Sequence, residues 1–113
     1  MIKHVLNLIE EKILEMRAIA KIDAYFFGSA LVQKALWSDI DILLLCDNEI
    51  AAAAARKSIS PLLDEFPIDL IIMTLDEEAE LDFVRKERCI CFASTNPKHR
   101  AIMTKQQPLA AEI

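Results

Sequence analysis

Phe26-Phe27-Gly28-Ser29-Ala30-Leu31-Val32-Gln33-Lys34-Ala35-Leu36-Trp37-Ser38-Asp39-Ile40-Asp41-Ile42-Leu43-Leu44-Leu45 is the stretch from which the rest of the chain is read. An apolar run stops at the protein's single glycine, a serine follows, and after a short amphipathic segment two aspartates open a second apolar run. If 40–46 is a strand, residues two apart share a face, so Asp39 and Asp41 point the same way as Leu43 and Leu45. Two carboxylates held that close repel unless a cation lies between them. Oxygen-only ligands of this kind suit Mg²⁺.

Gly28-Ser29 supplies a complementary half. A glycine directly after a strand lets the chain turn sharply and brings backbone N–H groups close to an anion. A short helix over 30–36 would add donors and a favourable dipole for phosphate. Lys34 and Ser38 are the further polar candidates on that side. A third acid comes from Pro67-Ile68-Asp69-Leu70-Ile71-Ile72-Met73-Thr74, read as another strand, on which Asp69 can lie beside Asp41. Three acids with a phosphate-binding turn are the equipment of metal-assisted phosphoryl or nucleotidyl transfer.

With nine residues between Ser29 and Asp39, the motif Ser38-Asp39-Ile40-Asp41 and the later Ile68-Asp69-Leu70-Ile71-Ile72, the chain resembles the DNA polymerase beta-like nucleotidyltransferase superfamily, in particular its small bacterial minimal members. The resemblance covers residues 1–93 and leaves 94–113 as a C-terminal extension or tail. It implies an α/β (α+β) nucleotidyltransferase fold, a mixed sheet of about four strands with helices packed on it. It implies Gly28 and Ser29 on the phosphates, Asp39 and Asp41 as the metal pair, and Asp69 as the third acid, which helps activate the attacking hydroxyl. Two Mg²⁺ ions and a nucleoside triphosphate, ATP first among them, are the implied cofactor and substrate. The acceptor would be a hydroxyl on a separate polypeptide, since relatives with an appended helical domain are longer. Minimal members are frequently paired with a small helical HEPN-type protein as the antitoxin of a toxin–antitoxin pair, modifying the partner with AMP.

Many relatives carry a second glycine in the loop and a basic residue soon after the serine. Here the stretch reads Ala30-Leu31-Val32-Gln33-Lys34, with Lys34 its one cation. That departure supports a second reading, a non-catalytic module that keeps the fold to bind a protein partner.

Composition bounds the rest. The 113 residues make one domain, and 54% apolar against 27% charged residues excludes a disordered class. No run approaches the ~20 apolar residues of a membrane helix, and the N-terminal segment lacks a signal peptide's layout, so a cytoplasmic protein is expected. A net charge of −5 argues against a general nucleic-acid surface. Arg85, Lys86, Arg88, Lys98, Arg100 and Lys105 nonetheless make 85–105 basic, read as a solvated face plus a tail. Cys46, Cys89 and Cys91 form no C-x-x-C pair and read as reduced, buried thiols; His4 and His99 complete no zinc spacing. A dimer or a hetero-complex is compatible with the small, apolar chain.

In chain order, Ile2, Val5, Leu6, Ile9, Ile13 and Met16 predict an amphipathic helix over 2–19. Residues 22–27 predict the first strand. Asp47-Asn48 predicts a turn and cap, and 49–66 a helix that Pro61 should break, with Ser60 capping a second short helix. Thr74 to Glu78 predicts an acid-rich helix start with Leu81, Phe83 and Val84 as apolar contacts, and 89–93 a fourth strand. Trp37 reads either as core or as an exposed anchor, and 98–103 as one further helical turn.

Overall fold

The structure, a computed structural model, describes residues 2–28 and 39–96. It is α+β, with a four-stranded mixed sheet and helices packed on it. The elements are α1 (Ile2–Glu15), β1 (Ile22–Phe27), β2 (Ile40–Cys46), α2 (Glu49–Glu65), β3 (Ile68–Thr74), α3 (Leu75–Leu81), α4 (Phe83–Lys86) and β4 (Ile90–Ser94). Across the sheet the order is β3-β2-β1-β4. β1 is antiparallel to both of its neighbours, and β2 and β3 run parallel. A parallel pair needs a crossover, and α2 provides it. The 30–36 helix, Trp37 and the 98–103 turn lie outside the described residues.

β2 explains the unbroken apolar run. Ile42, Leu44 and Cys46 enter the main core under α1 and α2, with Val5, Ile9, Ile13, Phe26, Ala55 and Ile59. Leu43 and Leu45 face the other way and join Phe27 and Met73 in a smaller core, against which Phe83, Val84 and Cys89 pack. A central strand covered on both faces reads as continuous rather than alternating.

Four boundaries differ from the sequence expectation. α1 stops at Glu15, and Met16–Ile19 form a turn in which Ala20 N–H donates to Met16 O (2.9 Å). Met16 and Ala20 stay buried while Ile19 is left 79% exposed, as the chain redirects Ile22 into the sheet. The expected helix after Thr74 is two. Asp82, in the left-handed region (φ 51°), closes α3 by donating to Glu78 O, and Glu78 Oε2 then accepts from Val84 N–H (3.1 Å) to start α4. This break aims Phe83 at Phe27 and leaves Leu81, expected to pack, half in solvent. β4 runs one residue past the boundary at 93, and Thr95 still brackets Ile22, its N–H donating to Ile22 O (3.0 Å) and its Oγ1 accepting from Ile22 N–H (2.9 Å).

The fourth difference is Pro61, which does not break α2. The helix runs on to Glu65, capped at its start by Asn48, whose Oδ1 accepts from Ala51 N–H (2.8 Å). Ala51, Ala55, Ile59 and Leu62 form one buried stripe that spans the proline, while Pro61 itself is exposed. Packing on both sides of the ring outweighs the loss of the bond that an ordinary residue would make to the Lys57 carbonyl. Pro61→Ala restores that bond and should stabilise the protein by about 1–3 kcal/mol, read as a higher urea midpoint with an unchanged slope.

Candidate active site

The site lies where β1 ends and β2 and β3 begin. Gly28 closes β1 with φ +61°, a left-handed conformation. Phe27 pairs with Asp41 across the antiparallel ladder, and Asp41 pairs with Asp69 across the parallel one. Ile40 N–H donates to Pro67 O (2.7 Å), fastening the two strand entrances just before the acids. Adjacent strands lie ~4.8 Å apart and paired residues share a face, so Asp41 and Asp69 stand side by side on the face of the smaller core. Asp39 immediately precedes β2, two residues from Asp41. Asp39 and Asp69 are exposed and Asp41 is half-buried.

Gly28 and Asp41 approach more closely than any side-chain-bearing residue would allow. A Cβ built on Gly28 would sit 2.3 Å from Asp41 Oδ2. The glycine is thus required twice, by its backbone angle and by the carboxylate against it. Of the remaining sequence candidates, Ser29, Lys34 and Ser38 lie outside the described residues. Among the described residues, no three His, Cys, Asp or Glu side chains close into one ligand cluster. Asp39, Asp41 and Asp69 thus share one sheet end without closing into a ligand cluster, and their chemistry, carboxylate oxygens that are partly solvated, is of the kind that hard, water-retaining ions such as Mg²⁺ take.

The thiols stand apart from this chemistry. Burial pushes Cys46 up to about 11, with Asp47 and Asp23 adding to the effect. Cys91, opposite Tyr25 in the β1–β4 ladder, is pushed up to about 12 by burial and by Asp23. Cys89 rises to about 11 through burial and the nearby Glu87 and Glu78. Burial likewise raises the Tyr25 hydroxyl far above its ordinary range. Nucleophilic cysteines have lowered values, and the surroundings of these three act in the opposite direction; of the three thiols expected to be buried, Cys46 is, while Cys89 and Cys91 are only partly so.

Sequence reasoning missed a cavity of about 750 Å³ at the opposite end of the same sheet face, lined by Arg17, Lys21, Asp23, Asp47, Leu75 and Asn96 among others. It is assembled from the ends of α1, β1, β2, α3 and β4, and no local motif announces such a convergence. Beside it Ser94 Oγ donates to Asp23 Oδ1, and Ser94 is fully buried.

No protein-family model and no curated protein matches the chain. The functional reading therefore stands on the residues themselves.

Two outcomes test this geometry. Gly28→Ala should cost about 1–3 kcal/mol of stability, and part of that cost should vanish in an Asp41→Ala background, where the clashing carboxylate is gone; urea unfolding of the four proteins in the cycle measures it. For the thiols, the folded state holds protons that the unfolded chain releases near pH 9, so stability should fall as pH rises from about 9 towards 11. Replacing Cys46, Cys89 and Cys91 by alanine should flatten that decline.

Proposed function

We propose that this protein is a Mg²⁺-dependent nucleotidyltransferase that moves a nucleoside monophosphate, AMP first among the candidates, from a triphosphate to a hydroxyl acceptor. The observation that carries the reading is the register of Asp41 against Asp69 beside a glycine that no other residue can replace without displacing Asp41. Two carboxylates on neighbouring strands at the mouth of a sheet are the arrangement that a shared cation would stabilise. They gain a purpose as ligands.

Asp39, Asp41 and Asp69 would hold the metal. When bound, Mg²⁺ supplies charge neutralisation and polarisation of the phosphoryl oxygens. The chain's own residues do the remainder. Gly28, whose bare Cα lets the Asp41 carboxylate lie against the end of β1, would bring the phosphate chain and the metal-holding acid to the same strand end. Asp69, on the outermost of the three acid-bearing positions, takes the proton of the acceptor hydroxyl. The freed oxygen then attacks the α-phosphorus in line, a new P–O bond forms, the bond to the bridging oxygen breaks, and pyrophosphate leaves. Phe27 and the smaller core beneath form an apolar floor that fixes the strand ends and so the distances between these groups.

A second reading is favoured by one feature of the sequence. The segment after Ser29 holds a single cation, Lys34, so a non-catalytic module of the same fold, acting through a protein partner, is the alternative. That the acceptor hydroxyl belongs to a small helical partner protein rests on the family resemblance alone.

Calorimetric titration of MgATP, followed by the other three Mg-nucleoside triphosphates, should show binding by the wild type that disappears in Asp39→Ala/Asp41→Ala. In a pyrophosphate-release assay with the acceptor supplied, Asp41→Ala should lose about a thousandfold or more of the rate while its unfolding curve stays cooperative. Full activity in that variant overturns the assignment, and nucleotide binding without any pyrophosphate release selects the module reading.

A further inference from the structure

The end of the sheet that carries the acids also receives the basic segment preceding β4. β4 runs antiparallel to β1 with Phe26 paired to Ile90, so the residues just before Ile90 emerge level with Phe27 and Gly28. Two contacts fix that placement independently. Phe83 of α4 meets Phe27 edge to face, ring centroids 5.1 Å apart, and Cys89 packs against the same small core. Read across the sheet end, the sequence of groups is Asp69 on β3, Asp41 on β2, Gly28 on β1, and then the turn holding Lys86, Glu87 and Arg88. With strands ~4.8 Å apart, Arg88 starts about one strand spacing from the glycine turn and two from Asp41.

The turn is built rather than slack. Glu87 N–H donates to Phe83 O (2.8 Å), Arg88 N–H to Arg85 O (3.2 Å), and Cys89 N–H to Val84 O (2.9 Å). Arg88 is held at φ 53°, where an L residue costs about 1–2 kcal/mol and glycine or asparagine would cost less. Arg85 is already engaged, its Nε donating to Asp82 Oδ2 (2.6 Å). Lys86 and Arg88 are exposed and make no ion pair with a described residue.

We propose that Arg88, seconded by Lys86, is the phosphate-holding arm of the site and takes the oligophosphate chain of the nucleotide. The proposal rests on the nucleotidyl-transfer reading and fills the role that the cation-poor stretch after Ser29 leaves open. Three carboxylates at one sheet end repel a triphosphate. A cation on the far side of the glycine turn reverses that sign where the β- and γ-phosphates would lie, and the guanidinium is suited to bidentate phosphate contact. The net charge of −5 and the two cations at this turn favour a short oligophosphate over a nucleic-acid backbone.

Inorganic tripolyphosphate, titrated without metal into the full chain, isolates this arm from the acids. The wild type should bind it, Arg88→Gly should weaken binding about tenfold or more, and Arg88→Lys, which keeps the charge but not the bidentate fork, should recover part of the loss. Arg88→Gly relaxes the backbone angle while removing the charge, so it keeps the fold. Asp41→Ala should bind tripolyphosphate at least as well as wild type. With MgATP and an acceptor, Arg88→Gly should raise KM with a smaller change in kcat. Equal tripolyphosphate binding by wild type and Arg88→Gly, or none by wild type, overturns the proposal, as does tighter Arg88-dependent binding of a single-stranded oligonucleotide. Arg88-dependent tripolyphosphate binding in a protein that transfers no nucleotide would leave the arm standing and remove the transfer reading. Transfer with an unchanged KM in Arg88→Gly would do the reverse.

Discussion

The register between β2 and β3 is the constraint on which the candidate site depends. Both strands enter the sheet from one end, fastened by the bond from Ile40 N–H to Pro67 O, and each then advances residue for residue from Ile40↔Ile68 to Cys46↔Thr74. A slip of one residue would turn Asp41 into the face where Ile42 and Leu44 are fully buried. An uncompensated carboxylate there costs several kcal/mol, whereas the present register leaves Asp41 half-buried at the edge of the smaller core. Five apolar pairs, Ile40↔Ile68 and the four from Ile42↔Leu70 to Leu45↔Met73, therefore hold Asp41 and Asp69 side by side. The site borrows its geometry from the hydrophobic effect.

The two sheet faces divide the labour. One is closed by α1 and α2, whose stripes of Val5, Ile9, Ile13 and of Ala51, Ala55, Ile59 supply the main core. On the other, among the described residues, Phe83 and Val84 pack against the small core of Phe27, Leu43, Leu45 and Met73. α3 has no buried residue, and its capping box at Thr74 and Glu77, with the Glu78 bond to Val84, takes the place of packing as its anchor. The acids occupy one end of this second face and the charged cavity the other.

Much of this was legible in the sequence, and the reason is the period of its apolar residues. β1, β2 and the position of Asp69 follow from apolar runs that end abruptly at glycine, aspartate or proline; the cap at Asp47-Asn48 and the helix start after Thr74 were readable because such signals act within a few residues. Pro61 misled because propensity is local and the buried stripe that overrides it is tertiary. The split after Leu81 was invisible for a related cause: Asp82 takes a left-handed angle to satisfy contacts between Phe83 and Phe27, which are fifty-six residues apart in the chain. The nearness of the 86–88 turn to Gly28 needed the β1–β4 pairing, and pairing between strands so distant in sequence leaves no trace in either one.

The chain's single glycine sharpens what can be said of its most informative position. Among the described residues, Asp82 and Arg88 also have positive φ, and neither is glycine. This protein therefore accepts the backbone cost of a left-handed residue where an ordinary side chain has room. Gly28 differs in having none, because the Asp41 carboxylate occupies the place of its Cβ. Backbone angle and the neighbouring carboxylate together select glycine there. That contact places a carboxylate at the end of β1, where β2 and β3 begin. The same contact is the one on which the proposed nucleotidyl-transfer site rests, because it ties the first strand's end to the acid of the second.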